Sequence, residues 1–238
     1  MRNIFFTSLF LLLAFSANAE HPCSNMCQFN AYYKGFNVGK IYFSSKSTND
    51  LKEILFDSHT DFNMLSKLLG AKSIIEKVIA RQDKNKYVPR SYIYKTSKGK
   101  IYNHSFNWQS NTLNVAKNNE NFDLPLIQGI TDRLSLSFSL SKGMPEKTYI
   151  VVDKGRLKTY QLIATKKETI LRKGEKLPAL SYTFRSLEGK NVPVSGDNKT
   201  LYKYWFNREL SSYMVRLQKF VGEEETLRLD SLLLTSNH

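Results

Sequence analysis

TYIVVDKGRLKTYQLIAT, residues 148–165, decides the fold class. β-branched and aromatic residues flank the turn signal Lys154-Gly155-Arg156, so Thr148 to Asp153 and Leu157 to Thr165 read as the arms of an antiparallel hairpin. The same period-two texture, with Tyr, Phe, Ile or Val alternating with Lys, Asn or Ser, recurs in both directions. Upstream, Phe29 to Tyr33 and Val38 to Ser44 form a hairpin across Lys34-Gly35-Phe36-Asn37, followed by Leu51 to His59. Ile74 to Arg81, Ser91 to Thr96, Lys100 to Trp108 and Thr112 to Ala116 continue as a meander. Leu134 to Leu140 alternates with serines and reads as a strand with one wet face. Downstream lie Leu180 to Arg185, Lys203 to Asn207, and a last hairpin of Tyr213 to Phe220 with Glu225 to Leu232. Asp61 to Leu69, with Asp61 as N-cap and Gly70 as stop, is the clearest short helix and is expected to plug or flank the sheet. Asn118 to Asp123 is a polar break, read as a long connection.

A dozen short strands without a fixed repeat period predict an all-β, predominantly antiparallel fold. The expected form is an open barrel or strongly curved sheet with one or two short helices, with a β-sandwich as the alternative.

The chain begins with export chemistry. Arg2 supplies a positive start, Ile4 to Phe15 an apolar run, and Ala17-Asn18-Ala19 small residues, so residues 1–19 read as a signal peptide cleaved after Ala19. The apolar run is shorter than the ~20 residues a spanning helix needs, so no transmembrane span is expected once the signal is removed. Glu20-His21-Pro22 is unsuited to lipidation at Cys23. Residues 20–28 form a cysteine-containing segment and 29–238 a single β-rich domain. Cys23 and Cys27, the two cysteines of the chain, are expected to pair as a disulfide in an oxidising compartment. The expected location is the periplasm, with full secretion as the alternative.

Thirty-five Lys+Arg against 21 Asp+Glu give a net charge of +14, to which residues 1–19 contribute only Arg2. This charge favours anionic partners such as lipid headgroups, lipopolysaccharide or acidic envelope polymers. Nucleic acid is disfavoured by the export signal and by the lack of a recognition-helix or finger motif.

Four motifs carry a family resemblance: Tyr33-Lys34-Gly35-Phe36-Asn37-Val38-Gly39, Asp132-Arg133-Leu134-Ser135, Tyr149 to Arg156, and the unit from Tyr204 to Leu232. Together they resemble the exported bacterial family known as domain of unknown function 3108, over most of the mature chain. The resemblance implies a signal-bearing, β-rich envelope protein and brings no catalytic residues. It also implies a helix near Asp132, where the alternation here implies a strand.

Chemistry is sparse. The four His show no paired ligand spacing, no metal or cofactor is expected, and no serine sits in a nucleophile elbow. Asp132 precedes an amphipathic segment and reads first as a cap or turn. Trp108, near Tyr92, Tyr94, Tyr102 and Arg90, and the cluster Tyr204, Trp205 and Arg208, mix aromatic and cationic groups that stack rings and pair with anions. The same residues are also ordinary strand formers. The expected function is a non-enzymatic binding protein for a lipid or other envelope component, lipopolysaccharide or envelope glycan included, held in an apolar interior. A structural or interaction subunit of a cell-envelope complex, with an envelope protein as partner, is one alternative. A hydrolase with an unrecognised site is the other.

Overall fold

A computed structural model describes residues 26–48, 53–118, 120–143, 145–172, 174–188, 200–207 and 213–232. The expected signal peptide with its cleavage site at Ala19, together with Cys23 and Arg208, lies outside the described residues. In chain order the elements are β1 (Cys27–Tyr33), β2 (Phe36–Ser47), β3 (Glu53–Phe62), α1 (Met64–Leu68), β4 (Ile74–Asp83), β5 (Lys86–Thr96), β6 (Ile101–Asn107), β7 (Thr112–Lys117) and β8 (Glu120–Pro125). They continue as β9 (Ile130–Asp132), α2 (Arg133–Ser141), β10 (Thr148–Asp153), β11 (Arg156–Arg172), β12 (Glu175–Glu188), β13 (Thr200–Asn207), β14 (Tyr213–Val221) and β15 (Glu224–Ser231).

Among the described residues, fifteen strands form one sheet, ordered β8-β7-β6-β5-β4-β3-β2-β1-β15-β14-β13-β12-β11-β10-β9. Two meanders are therefore joined at the centre by the first and last strands, with Phe29 opposite Ser231 and Tyr33 opposite Leu227. Every pairing is antiparallel except β9 with β10, whose crossover is α2.

This topology overturns the barrel. Among the described residues, hydrogen bonding stops at β8 and at β9, and the two edge strands do not pair with each other. Residues 126–129 link those two edges, and at ~3.5 Å per residue the link spans no more than about 18 Å. The two halves of the sheet consequently lie on opposite sides of α2, an open, layered arrangement closer to the sandwich alternative. Side-chain alternation looks the same in a barrel strand and an open-sheet strand, so the sequence pattern does not distinguish them.

Three local expectations also change. Residues 133–141 are helical: Asp132 caps the first turn, and serine hydroxyls satisfy carbonyls inside the helix, Ser137 Oγ donating to Arg133 O at 2.9 Å and Ser139 Oγ to Ser135 O at 2.7 Å. Leu134 and Phe138 join a core cluster centred on β1–β8 that also takes in Val152, Ile170, Trp205 and Leu229 of the other half, whereas Leu136 and Leu140 join one built on β10 to β13. A helix buried on two sides carries apolar residues all round, and here that mimics a strand's alternation. Next, α1 is capped by Asn63 instead of Asp61 and does not plug the sheet; Met64, Leu65 and Leu68 are all exposed. Finally, the polar stretch read as a connection is β8, whose residues are almost all exposed because it is an edge strand.

The core is aromatic. Phe138 stacks on Phe56 of β3 with ring centroids 4.0 Å apart, and Tyr149 and Tyr204 pack edge-on against Phe184. Fully burying side chains of this kind stabilises by roughly 1.5–3 kcal/mol each.

Candidate functional site

Alternation places Glu76 on the same face of β4 as Val78 and Ala80, so a carboxylate enters the core. It does so beside Arg133, the first residue of α2, whose Nη2 lies 2.6 Å from Glu76 Oε1. Tyr92 OH donates to the same oxygen at 2.5 Å. On the other side of the guanidinium, Arg133 Nε is 3.7 Å from Asp153 Oδ1, and Lys158 Nζ is 3.5 Å from Asp153 Oδ2. Burial works against the charge of Asp153, but Arg133, Lys154 and Lys158 outweigh it and hold its carboxyl below the usual range. Each charge of this network thus has an opposite partner, as low-dielectric surroundings require. The network ties β4 and β5 to the end of β10 through the first residue of α2.

Asp132 stands next to this network and is fully buried. Its Oδ1 accepts from the backbone N–H of Leu134 at 2.8 Å and of Ser135 at 3.0 Å. Burial pushes its carboxyl up to about 6, against the opposing pull of the Ser135 and Leu134 donors. Asp132 is therefore the N-cap that starts α2, and it faces the interior.

His104 closes the assembly. Nδ1 lies 3.2 Å from Tyr92 O, and Nε2 accepts from the N–H of Gly155 at 3.0 Å, which fixes a neutral tautomer with its proton on Nδ1. Burial lowers its pKa, against smaller opposing effects of Tyr92 O and Asp153. Gly155 sits in the β10–β11 turn at φ +73°, and a Cβ there would lie 3.0 Å from Phe122 of β8 and 3.3 Å from Val115 of β7. The turn is thus locked onto the far edge of the sheet. With both ring nitrogens committed and 2 % exposure, His104 holds the β10–β11 turn against β6.

An open groove lies among β4, β5 and the end of β6. It holds about 500 Å³ and is lined by Arg81, Arg90, Asn107, Trp108 and Gln109, among others. Trp108 is fixed by its indole N–H, which donates to Pro89 O at 2.9 Å, and by stacking against Phe106 at 6.3 Å. Arg90 Nη1 is 2.6 Å from Glu53 Oε1, and Arg81 stands opposite Glu53 in the β3–β4 register. An indole flanked by two guanidinium groups can stack on flat partners and pair with carboxylate or phosphate.

The other candidate residues lie elsewhere. Tyr204 is buried in the core of the β9–β15 half. Trp205 is buried too; its indole N–H donates to Glu168 Oε2 at 2.7 Å, and Lys203 Nζ sits 4.5 Å above its ring. Neither shares a surface with Trp108. Cys27 is buried at the start of β1 and its sulfur is in a disulfide, while Cys23, its expected partner, is outside the described residues. Among the described residues, no three His, Cys, Asp or Glu side chains converge on a metal position. Sequence reasoning missed the Glu76–Arg133–Asp153 network; the available signal was a carboxylate at an inward position of an alternating strand.

A family model described as "Protein of unknown function (DUF3108)" matches residues 28–229. No curated protein matches. Among solved structures, one titled a "putative lipoprotein" from Parabacteroides distasonis is 9 % identical, covering 89 % of this chain and 94 % of its own, at a TM-score of 0.34. At that score the likeness carries no argument about this chain.

Proposed function

The chain belongs to the DUF3108 family, whose description assigns no activity, and from that premise we propose that it is a non-enzymatic structural or interaction subunit of a cell-envelope complex, working in the periplasm after export. One observation carries this reading: the space between the two halves of the sheet is occupied by α2 and its aromatic partners. An apolar cavity beside α2, bounded by Phe29, Phe43, Phe138, Phe206 and Met214 among others, measures about 20 Å³. That is water-sized and too small for an acyl chain. Arg81, Arg90 and one face of the half-buried Trp108 instead line an open groove, and that groove is the surface assigned to the partner.

The test is site-specific photocrosslinking from position Gln109 in cells, together with native mass spectrometry of the purified protein. The reading expects a crosslinked protein of defined mass that disappears with Trp108→Ala. Stoichiometric bound lipid, with no crosslinked polypeptide, would overturn it in favour of a carrier.

A further inference from the structure

At the end of the molecule formed by the β1–β2 hairpin, large apolar side chains stand in water. Phe36 is 77 % exposed, and in and just after α1 Met64, Leu65, Leu68 and Leu69 are 66–80 % exposed. Spaced i, i+1, i+4 and i+5, the four residues around α1 occupy one arc of the helix, and Ser66 alone in the helix is buried. The helix cannot turn this arc inward. Asn63 caps it by accepting from Ser66 N at 2.9 Å, and the same residue is docked on β2 through Asn63 N to Val38 O at 3.0 Å and Asn63 Nδ2 to Asn37 O at 2.8 Å. This anchoring sets α1 beside Phe36. Gly70, at φ +87°, ends the helix, and Ala71 N donates to Ser66 O at 2.9 Å.

We propose that this tip, Phe36 with Met64, Leu65, Leu68 and Leu69, inserts into the surface of an anionic phospholipid bilayer. The inference goes beyond the envelope-complex reading and uses a different surface. Shape and charge select the occupant. Side chains this exposed make a convex projection, which a bilayer interface accepts and which offers a peptide no groove. Residues 33–40 and 62–72, which build the tip, contain Lys34, Lys40, Lys67 and Lys72, and two carboxylates border them, Asp61 opposite Lys40 and Glu224 beside Lys34. Lys34 and Lys67 reach Glu224 and Asp61, both outside these stretches, and Lys40 and Lys67 are exposed at the base of the projection. An apolar tip ringed by lysines that outnumber the carboxylates bordering it has the two ingredients of interfacial binding, in which an apolar face sinks about 5–10 Å below the headgroups. The net charge of +14 acts in the same direction.

The experiment is co-sedimentation of the purified protein with phosphatidylglycerol/phosphatidylcholine vesicles at low salt. Binding is expected to fall at least tenfold on pure phosphatidylcholine, in the double variant Leu68→Ser/Leu69→Ser, and at high salt. Phe36→Trp on anionic vesicles containing brominated lipid is expected to be quenched beyond the level of the wild-type indoles, a readout that holds even if the double variant misfolds. Failure to sediment with anionic vesicles, equal binding by the folded double variant, or unquenched Phe36→Trp would each overturn the proposal. So would a concentration-dependent dimer abolished by the same double variant, which would assign the tip to a second copy. None of these outcomes bears on crosslinking through the Trp108 groove, so the two readings fail separately.

Discussion

The backbone N–H of Gly155 donates to Nε2 of His104 across 3.0 Å, so a turn of one half of the sheet is held by a neutral imidazole of the other. A protonated ring has no lone pair to accept that hydrogen. Burial holds the folded-state pKa of His104 below its unfolded value of about 6.5. The contribution is therefore fully present above that pH and is lost as pH falls through the folded pKa, because the unfolded chain binds a proton that folded His104 excludes. His104→Ala is expected to cost about 2–4 kcal/mol at pH 7.5 and to flatten the decline below pH 6.5. Urea unfolding followed by circular dichroism at pH 7.5 and 5.5 measures both.

Asp132 has the opposite sign. Its carboxyl is raised from 3.8 to about 6, so the folded state binds the extra proton. Stability from this group is present below pH 4 and lost as pH rises towards 6, an effect on the order of 3 kcal/mol. Asn caps helices as well as Asp does and carries no charge. Asp132→Asn should therefore be at least as stable as wild type at pH 7.5, with that advantage gone at pH 4. At pH 4, where the wild-type carboxyl is neutral, Asp132→Ala should lose about 1–2 kcal/mol through loss of the cap. Equal pH profiles for wild type and Asp132→Asn would show that the buried carboxyl is not the source.

Arg133 sits between two carboxylates, so removing it leaves Glu76 and Asp153 facing each other's charge without a cation between them. Arg133→Met is expected to destabilise by about 2–4 kcal/mol, allowing for its partial exposure. Glu76→Gln in the same chain should restore part of that loss. A double-mutant cycle of thermal or urea unfolding gives the coupling, expected at roughly 1–3 kcal/mol. A coupling near zero would mean that the network adds nothing beyond its separate members.

Gly39 in β2 lies at φ +148°, and a Cβ there would come within 2.2 Å of Asp61 O. That oxygen belongs to backbone, which cannot move without breaking the β2–β3 register. Gly39→Ala is expected to cost at least about 2 kcal/mol and to raise amide exchange in β2 and β3 first.

The strands were legible where one face is wet. The hairpins β1–β2, β10–β11 and β14–β15 follow their alternation closely, because a half-buried strand writes its two faces directly into the sequence. α2 was illegible for the converse reason: leucines facing both halves of the sheet, with serines between them, copy the period of a strand. β8 was missed because an exposed edge has no apolar face to alternate. Among the candidate residues, Trp108 lines a surface groove with Arg90. Tyr204 and Trp205 are consecutive on one strand, so they point to opposite faces, and both faces there are covered. Arg81 entered the groove through strand pairing, which no local window contains.

The pairing of β1 with β15 also governs the order in which the molecule can be built. β1 keeps one edge open until β15 arrives, so the central seam is the contact of greatest sequence separation in the sheet. Loop-closure entropy makes such contacts slow to form. A chain shortened before Glu224 would leave two meanders with no strand to bridge them, and the exposed edge of β1 would be available to neighbouring molecules. Maturation of the domain therefore waits for its C-terminal strands, which makes the seam the step most exposed to proteolysis and aggregation.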